Sequence, residues 1–403
     1  MRHRAVGIII AGFFTLFAAF GIRYAYGIIL PYMLSSLSIS KTSAGIIYSS
    51  YFITYTIFSP VLGLLGDRSN TKILVTVFVS ILAAGAYLMS FSATVLQASI
   101  FFGLAGIGHS ACWAPVVALV MRWVDENRRG MAVSIVDLGS AAGIAVWSAI
   151  IPLIIVASGW RMVWISLGMF TFLIAVMNLV LMKSHPPPET DFQKPATIPA
   201  VRIPIKLGYM AIFKDIKFYL IGFSYLLISF SILIPFTFLI TYASQELMIP
   251  YKTATGLVVV IAISGAVCKL ILGHYSDVVG RVRVMMLCGV LAGTGCLGMA
   301  YVNDYSILLL FSIIFGAGYG TIWPVYAASA RDLFSRDYAG SVIGLWTCYH
   351  GIGSVLSPVI AGWLIDITGN YFWTFILGVM TSALSLILLL PVEVAVHKKG
   401  AGA

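Results

Sequence analysis

Apolar runs, each ended by a charge, a proline or a glycine, follow one another along nearly the whole chain. They fall at 7–34, 44–65, 73–93, 96–121, 132–157, 162–182, 218–243, 254–275, 284–302, 305–329, 340–365 and 371–393. A helix needs about 20 apolar residues to cross a bilayer, and all twelve runs are of that order. One long polar stretch interrupts them, from Lys183 to about Lys217; it contains PPPET, lacks apolar continuity and reads as a linker that buries no core. The pattern predicts an all-α membrane protein of twelve transmembrane helices. It divides into a six-helix bundle over 1–183, a cytoplasmic linker over 184–217 and a second six-helix bundle over 218–403.

Composition agrees with the pattern. Of 403 residues 60% are hydrophobic and 9% charged, where soluble proteins carry about 25% charged and 45–50% apolar residues. This excludes a disordered chain, a disulfide scaffold and most enzymes, which need a polar cleft. Cys112, Cys268, Cys288, Cys296 and Cys348 lie inside apolar runs with no CxxC pair and read as small core residues, so no metal site or cofactor is expected. The basic, apolar N-terminus has the look of a signal peptide, but its run continues to about Leu34 without an A-x-A site, so it reads as a retained first helix.

The formal charge of +10 changes the picture through its distribution. With a cytoplasmic N-terminus, the inner segments hold 19 cations and the outer ones only Lys41, Arg161 and Lys252. The positive-inside rule then places both termini in the cytoplasm of a multi-pass protein of the plasma (inner) membrane. A charge used for orientation implies no nucleic-acid partner. Two cations are left over, Arg23 and Lys269, and both lie inside helices.

Shifting the chain against itself by 210 residues exposes an internal repeat. Gly63 meets Gly273, Asp67 meets Asp277, Gly106 meets Gly316, Gly108 meets Gly318, Trp113 meets Trp323, Gly130 meets Gly340, Gly143 meets Gly353 and Gly159 meets Gly369. A single offset serving the second to sixth helices implies two parallel six-helix repeats.

Two loops at equivalent places carry the most specific motif, GLLGDRSNTK (Gly63 to Lys72) and GHYSDVVGR (Gly273 to Arg281). They resemble the G-x-x-x-D-[RK]-x-G-[RK] loop of the major facilitator superfamily. The second copy departs from it at Val278, and the first has Asn70 for the turn glycine, acceptable because Asn also visits the left-handed conformation. The resemblance implies a gating motif of Gly63, Asp67, Arg68, Gly273, Asp277, Gly280 and Arg281, in which the glycines let helices approach and the charges hold the inner gate.

Within that superfamily YAYGIILPYM, RWVDENRRGMAVSIVDLGSAAG and CKLILGHYSD resemble the monocarboxylate transporter and oxalate/formate exchanger branch. In that branch an eighth-helix Arg in an R-x-x-x-G segment binds the substrate carboxylate; the matching residue is Lys269, ahead of Gly273. The charge is kept and the bidentate fork lost. Monocarboxylate transporters place an Asp four residues earlier, where Gly265 stands, so their proton-accepting pair is incomplete here. The exchangers' eleventh-helix Lys-Gly matches His350-Gly351, and a His can be charged or neutral near pH 7.

Ionisable groups at membrane depth are costly, and they line a pathway or pair with one another. They are Arg23, His109, Asp137, Lys269 and His350. At about 1.5 Å per residue, Lys269 lies roughly 12 Å and His350 roughly 15 Å above the inner face, and Arg23 about 16 Å below the outer one. A small carboxylate between Arg23 and Lys269 would bridge the two halves. Asp137, about 10 Å deep, is the one carboxylate well inside a helix and a candidate proton carrier. Structural alternatives stand beside these roles: Lys269 snorkelling or pairing with Asp137, Arg23 in a structural pair, both histidines satisfied in the core. Trp113 and Trp323 are repeat-equivalent, and Tyr319, Trp323 and Tyr326 share one helix face, as packing or as site lining. Ala114-Pro115 and Trp323-Pro324 predict bends.

The function expected from all this is secondary transport of small organic anions by alternating access, with a short monocarboxylate (lactate or pyruvate type) and a proton as partners. Substrate would meet Lys269, Arg23, His350, Trp323, Tyr319, Trp113 and His109, with Asp137 or His350 taking the proton, in a protein working as a monomer. Oxalate/formate-type exchange is one alternative. Drug efflux is another, and it expects the cations masked, as Asp137 bound to Lys269 would do. A transporter-like sensor is remote, and no nucleophile, metal or phosphate motif points to an enzyme.

Overall fold

The computed structural model describes residues 2–125, 128–184, 212–302, 304–334 and 339–400, without the side chains of 2, 3, 64, 66–68 and 398–400. The described helices are α1 (Arg2–Leu37), α2 (Lys41–Arg68), α3 (Thr71–Met89), α4 (Val95–His109), α5 (Ala114–Trp123), α6 (Arg129–Ser158) and α7 (Trp160–Leu181). They continue with α8 (Ile216–Gln245), α9 (Tyr251–Val279), α10 (Arg281–Tyr301), α11 (Tyr305–Leu333), α12 (Ala339–Thr368) and α13 (Phe372–Gly400). Among the described residues twelve segments are long and apolar enough to cross a membrane, α4 and α5 together forming the fourth. The protein is therefore a multi-pass, all-α membrane protein. Both chain ends lie on one face of it, since twelve crossings return the chain to its starting side.

Polar residues between the runs start the helices. Ser40, Thr94 and Asp304 accept from backbone N–H groups of the first turns of α2, α4 and α11, which satisfies donors the helix itself leaves unpaired. Asp215 does the same for α8, bonding Lys217 N at 2.9 Å. That cap starts α8 at Ile216, two residues inside the expected linker. Most of the expected linker, 184–217, lies outside the described residues. Of the five free cysteines, Cys112, Cys288 and Cys296 are buried, whereas Cys268 and Cys348 are partly exposed.

The repeat holds at the level of packing. A side chain on Gly106 would collide with the Tyr51 carbonyl and one on Gly316 with the Ile261 carbonyl; the two partners stand at the same 210 offset. Gly108 packs on Leu82 and Gly318 near Ala292, again equivalent positions. Gly159 and Gly369 both turn with positive φ, +80° and +72°. Two expectations need correction. Asn70 does not adopt the left-handed conformation of its partner Gly280 (φ +107°); it sits extended at φ −68° and caps α3 through its side chain. The bends also differ, since the fourth span breaks between His109 and Ala114 with Pro115 starting α5, whereas α11 runs unbroken through Pro324.

The two six-span halves meet tightly on the face opposite the chain ends. There Gly27 of α1 lies against the Phe236 carbonyl of α8, Gly45 of α2 against Pro358 of α12, and Gly362 of α12 against Lys41. Asp366, at the end of α12, accepts from Lys41 N (3.1 Å), Thr42 N (2.8 Å) and Thr42 Oγ1 (2.6 Å) of α2. Tyr251 of α9 donates to the Ile28 carbonyl at 2.8 Å. Toward the other face the packing is looser in two helices, since neither 53–61 of α2 nor 266–275 of α9 contains a buried residue. The halves are zipped on one side, and α2 and α9 are more exposed toward the side of the termini.

Candidate functional site

Midway along α1, Phe20, Arg23 and Tyr24 share one face of the helix at i, i+3 and i+4 spacing. Arg23 is only 2% exposed, and four rings surround its guanidinium: Phe52 at 4.5 Å, Tyr24 at 5.4 Å, Tyr55 at 5.6 Å and Phe20 at 5.7 Å. Cation–π contact offsets part of the cost of burial. It leaves Nε and Nη2 of Arg23 without a hydrogen-bond partner among the described residues. Desolvation strengthens the attraction of a buried guanidinium for an anion, and no carboxylate of the described residues pairs with this one.

His109 shares the same cage. Its ring meets Phe20 at 5.2 Å and Tyr55 at 5.1 Å, and its Nδ1 is bonded to the Tyr51 hydroxyl. Across the halves, Tyr24 packs on Phe236 at 4.2 Å, Phe236 on Tyr319 at 4.7 Å, Tyr319 on Trp323 at 5.1 Å and Trp323 on His350 at 5.6 Å. His350 is buried, stacks on Tyr225 at 5.1 Å and is bonded through Nδ1 to Ser229. One aromatic wall thus runs from Arg23 to His350. It brings together four residues expected at the site, Arg23, Tyr319, Trp323 and His350, with His109 behind the cation.

Lys269 and Asp137 stand apart from that wall. Lys269 Nζ lies 2.6 Å from Asp137 Oδ2, with the side chains 24% and 21% exposed. The pair joins α6 of the first half to α9 of the second, so the carboxylate that bridges the halves belongs to the protein. It lies nearer the face of the termini than Arg23. Tyr319 packs on Gly265, one turn of α9, about 6 Å, from Lys269. Trp113 is not part of the wall either; it caps α5 at the break in the fourth span and is 38% exposed.

The second copy of the gating motif is self-contained. Arg281 pairs with Asp277 and reaches Asp332 at 3.1 Å and Ser276 at 2.5 Å, all in one half, while Gly273 and Gly280 have open space around them. In the first copy Gly63 faces Ala114; the side chains of Asp67 and Arg68 lie outside the described residues. Sequence reasoning missed the cage itself: Phe20, Tyr24, Phe52, Tyr55 and Phe236. The available signal was spacing, with Phe20 and Tyr24 four apart around Arg23 and Phe52 and Tyr55 three apart on the next helix.

Comparison with known proteins follows the same lines. The chain is 24% identical over 375 residues to Monocarboxylate transporter 12-B of Danio rerio, covering 86% of this chain and 78% of that one. It is 25% identical over 383 residues to the Hexuronate transporter of Bacillus subtilis, covering 88% and 87%. Its fold superposes on a bacterial homolog of the human lysosomal transporter Spinster, inward-facing and unoccupied, with a TM-score of 0.76 at 12% identity over 97% of this chain and 95% of that one. The nucleoside transporter NupG gives 0.75 at 15% identity over 96% and 98%. The family model of the Major Facilitator Superfamily matches residues 12–268 and again 221–403. Since those matches reach across both repeats, the chain belongs to the Major Facilitator Superfamily.

Proposed function

We propose that this transporter moves a small monocarboxylate by alternating access, with the carboxylate held at Arg23. The observation that carries the reading is the buried, four-ringed guanidinium whose Nε and Nη2 have no partner among the described residues. Arg23 stands between the halves, where each must be able to reach the substrate in turn. Relatives named for monocarboxylates and for hexuronates both carry carboxylates by name. The positive-inside distribution supports a cytoplasmic location for the more exposed ends of α2 and α9, in keeping with an inward-facing state in a plasma membrane. Two groups are available to a coupled proton, Asp137 in its pair with Lys269 and His350 at the end of the aromatic wall.

Drug efflux has one observation in its favour, since Asp137 masks Lys269. That reading needs the cations masked, and among the described residues Arg23 has no carboxylate partner. The test is uptake of labelled lactate into proteoliposomes with and without an imposed pH gradient. Uptake that is accelerated by an inward proton gradient and lost in Arg23→Gln supports a proton-coupled anion carrier. Dependence on internal anion alone assigns exchange, and uptake insensitive to Arg23→Gln removes the anion site.

A further inference from the structure

A second buried group of the cage also has an open position. His109 ends α4, where the fourth span breaks before Ala114, and it shares two walls with Arg23. The ring of Phe20 lies 5.2 Å from the imidazole and 5.7 Å from the guanidinium, that of Tyr55 5.1 Å and 5.6 Å. His109 Nδ1 is bonded to the Tyr51 hydroxyl. Its Nε2 is buried without a hydrogen-bond partner among the described residues, with the Ala19 carbonyl of α1 close by. Asp137, by contrast, is held by Lys269, and the ring contacts of His350 are with Tyr225 and Trp323, away from the guanidinium.

Two opposed fields act on this imidazole. Its place in the last turn of α4 sets it at the negative end of the helix dipole, which favours the imidazolium. The positive charge of Arg23 opposes it. The other titratable groups here are Tyr51 and Tyr55 of α2 and Cys112 beyond the helix end, whose N bonds the His109 carbonyl at 2.8 Å; side chains of these types are neutral near pH 7. α3 meets this end of α4 with backbone, Leu82 and Phe78 against Gly108. Arg23 is therefore the charge that decides the state of His109.

We propose that His109 is the proton-coupling residue of the transporter, taking up a proton when an anion occupies Arg23 and giving it back when the anion leaves. This rests on the reading of Arg23 as the carboxylate anchor. The coupling requires no contact between ligand and histidine. An anion on the guanidinium cancels the positive charge behind the shared rings, and the helix-end field then prevails. The imidazolium donates Nδ1–H to the Tyr51 oxygen and turns Nε2–H toward the Ala19 carbonyl. One anion and one proton enter together, so the net charge of the cage is unchanged. Tyr55 is itself partly exposed, which gives the proton a short way in. By linkage the proton tightens the anion as much as the anion tightens the proton.

The experiment adds lactate to the purified, full-length transporter in weak buffer and reads proton uptake with an indicator dye. Lactate Kd is measured alongside from about pH 5.5 to 8, the span in which a histidine changes charge. Wild type, Arg23→Gln, His109→Gln, Tyr51→Phe, His350→Gln and Asp137→Asn are compared, each checked for a monodisperse elution profile. Wild type is expected to take up about one proton per lactate where its Kd weakens by up to about tenfold per pH unit. His109→Gln takes up none, and its Kd is flat with pH. Tyr51→Phe keeps the imidazole but removes the acceptor of its charged Nδ1–H, so uptake persists and moves to lower pH. Lactate binding to wild type without proton uptake, uptake that persists in His109→Gln or vanishes only in His350→Gln or Asp137→Asn, or a Tyr51→Phe profile identical to wild type overturns the proposal and leaves Arg23 as the anchor. Lactate binding that is absent from wild type, or untouched by Arg23→Gln, removes the reading of Arg23 and the proposal with it.

Discussion

Arg23 and Lys269 look alike in the sequence, two basic residues stranded in apolar helices, and the structure gives them opposite circumstances. Lys269 has a carboxylate at 2.6 Å and keeps about a quarter of its surface. Arg23 has none among the described residues and is almost completely enclosed by rings. Charge balance therefore sorts them. The pair is neutral and contributes to holding α6 against α9, whereas the guanidinium carries a net charge that no described carboxylate meets, as the proposed anion site requires. Burial of an unpaired charge is tolerated where function uses it, at a cost to stability.

Several substitutions sharpen that contrast, and the largest effect belongs to Arg23. Arg23→Gln removes the charged half of the proposed contact, and losing one partner of a desolvated ionic hydrogen bond costs about 2–5 kcal/mol, or at least about thirtyfold in lactate Kd. Equilibrium binding measures it, and a change below threefold breaks the distinction between the two cations. Next comes Asp137→Asn, which strands Lys269. Its thermal unfolding is expected below wild type, by less than the about 3–5 kcal/mol typical of fully buried pairs because this one is partly solvated. Asp137→Asn with Lys269→Met should recover most of that loss, and a melting curve for the double variant no better than the single would mean that the pair does not hold the halves.

A smaller effect is expected on the closed face. Asp366→Ala deletes the acceptor of three hydrogen bonds at the start of α2. Their exposure limits the shift of the open–closed equilibrium to about 1–2 kcal/mol, roughly five- to thirtyfold in population. Distance measurements between labels at the ends of α2 and α12 should show a broadened distribution toward separation; an unchanged distribution would assign the closure to the glycine contacts alone. The smallest effect is Phe52→Leu, which removes the nearest ring over Arg23. A lost cation–π contact of about 1–2 kcal/mol lowers stability modestly, while lactate affinity stays within about threefold.

Much of the fold was legible before any coordinates. Twelve apolar runs gave twelve spans because length and composition decide whether a helix crosses a bilayer. The 210-residue offset survived down to individual contacts, Gly106 on Tyr51 and Gly316 on Ile261, because close helix approach tolerates no side chain at those points. What escaped was pairwise and long-range. Aromatic residues make up 13% of the chain, so the four that surround Arg23 were not separable by type from those that face lipid or fill the core. The ion pair spans 132 residues. Sequence could name Asp137 as one possible partner of Lys269, but only the docking of α6 on α9 selects it over a ligand. Asn70 shows the local version of this limit: its side chain found a cap on Ile73 N, so the left-handed turn used by Gly280 was not needed.

The central claim is that Arg23 is kept unpaired for a ligand, and thermal unfolding of Arg23→Met with and without lactate tests it most directly. Methionine fills the space and removes the uncompensated charge. The account predicts that Arg23→Met melts at or above the wild-type temperature and that lactate, which raises the wild-type midpoint, no longer moves it. A variant that melts well below wild type and still responds to lactate would contradict the account, making the guanidinium part of the scaffold and placing the substrate elsewhere.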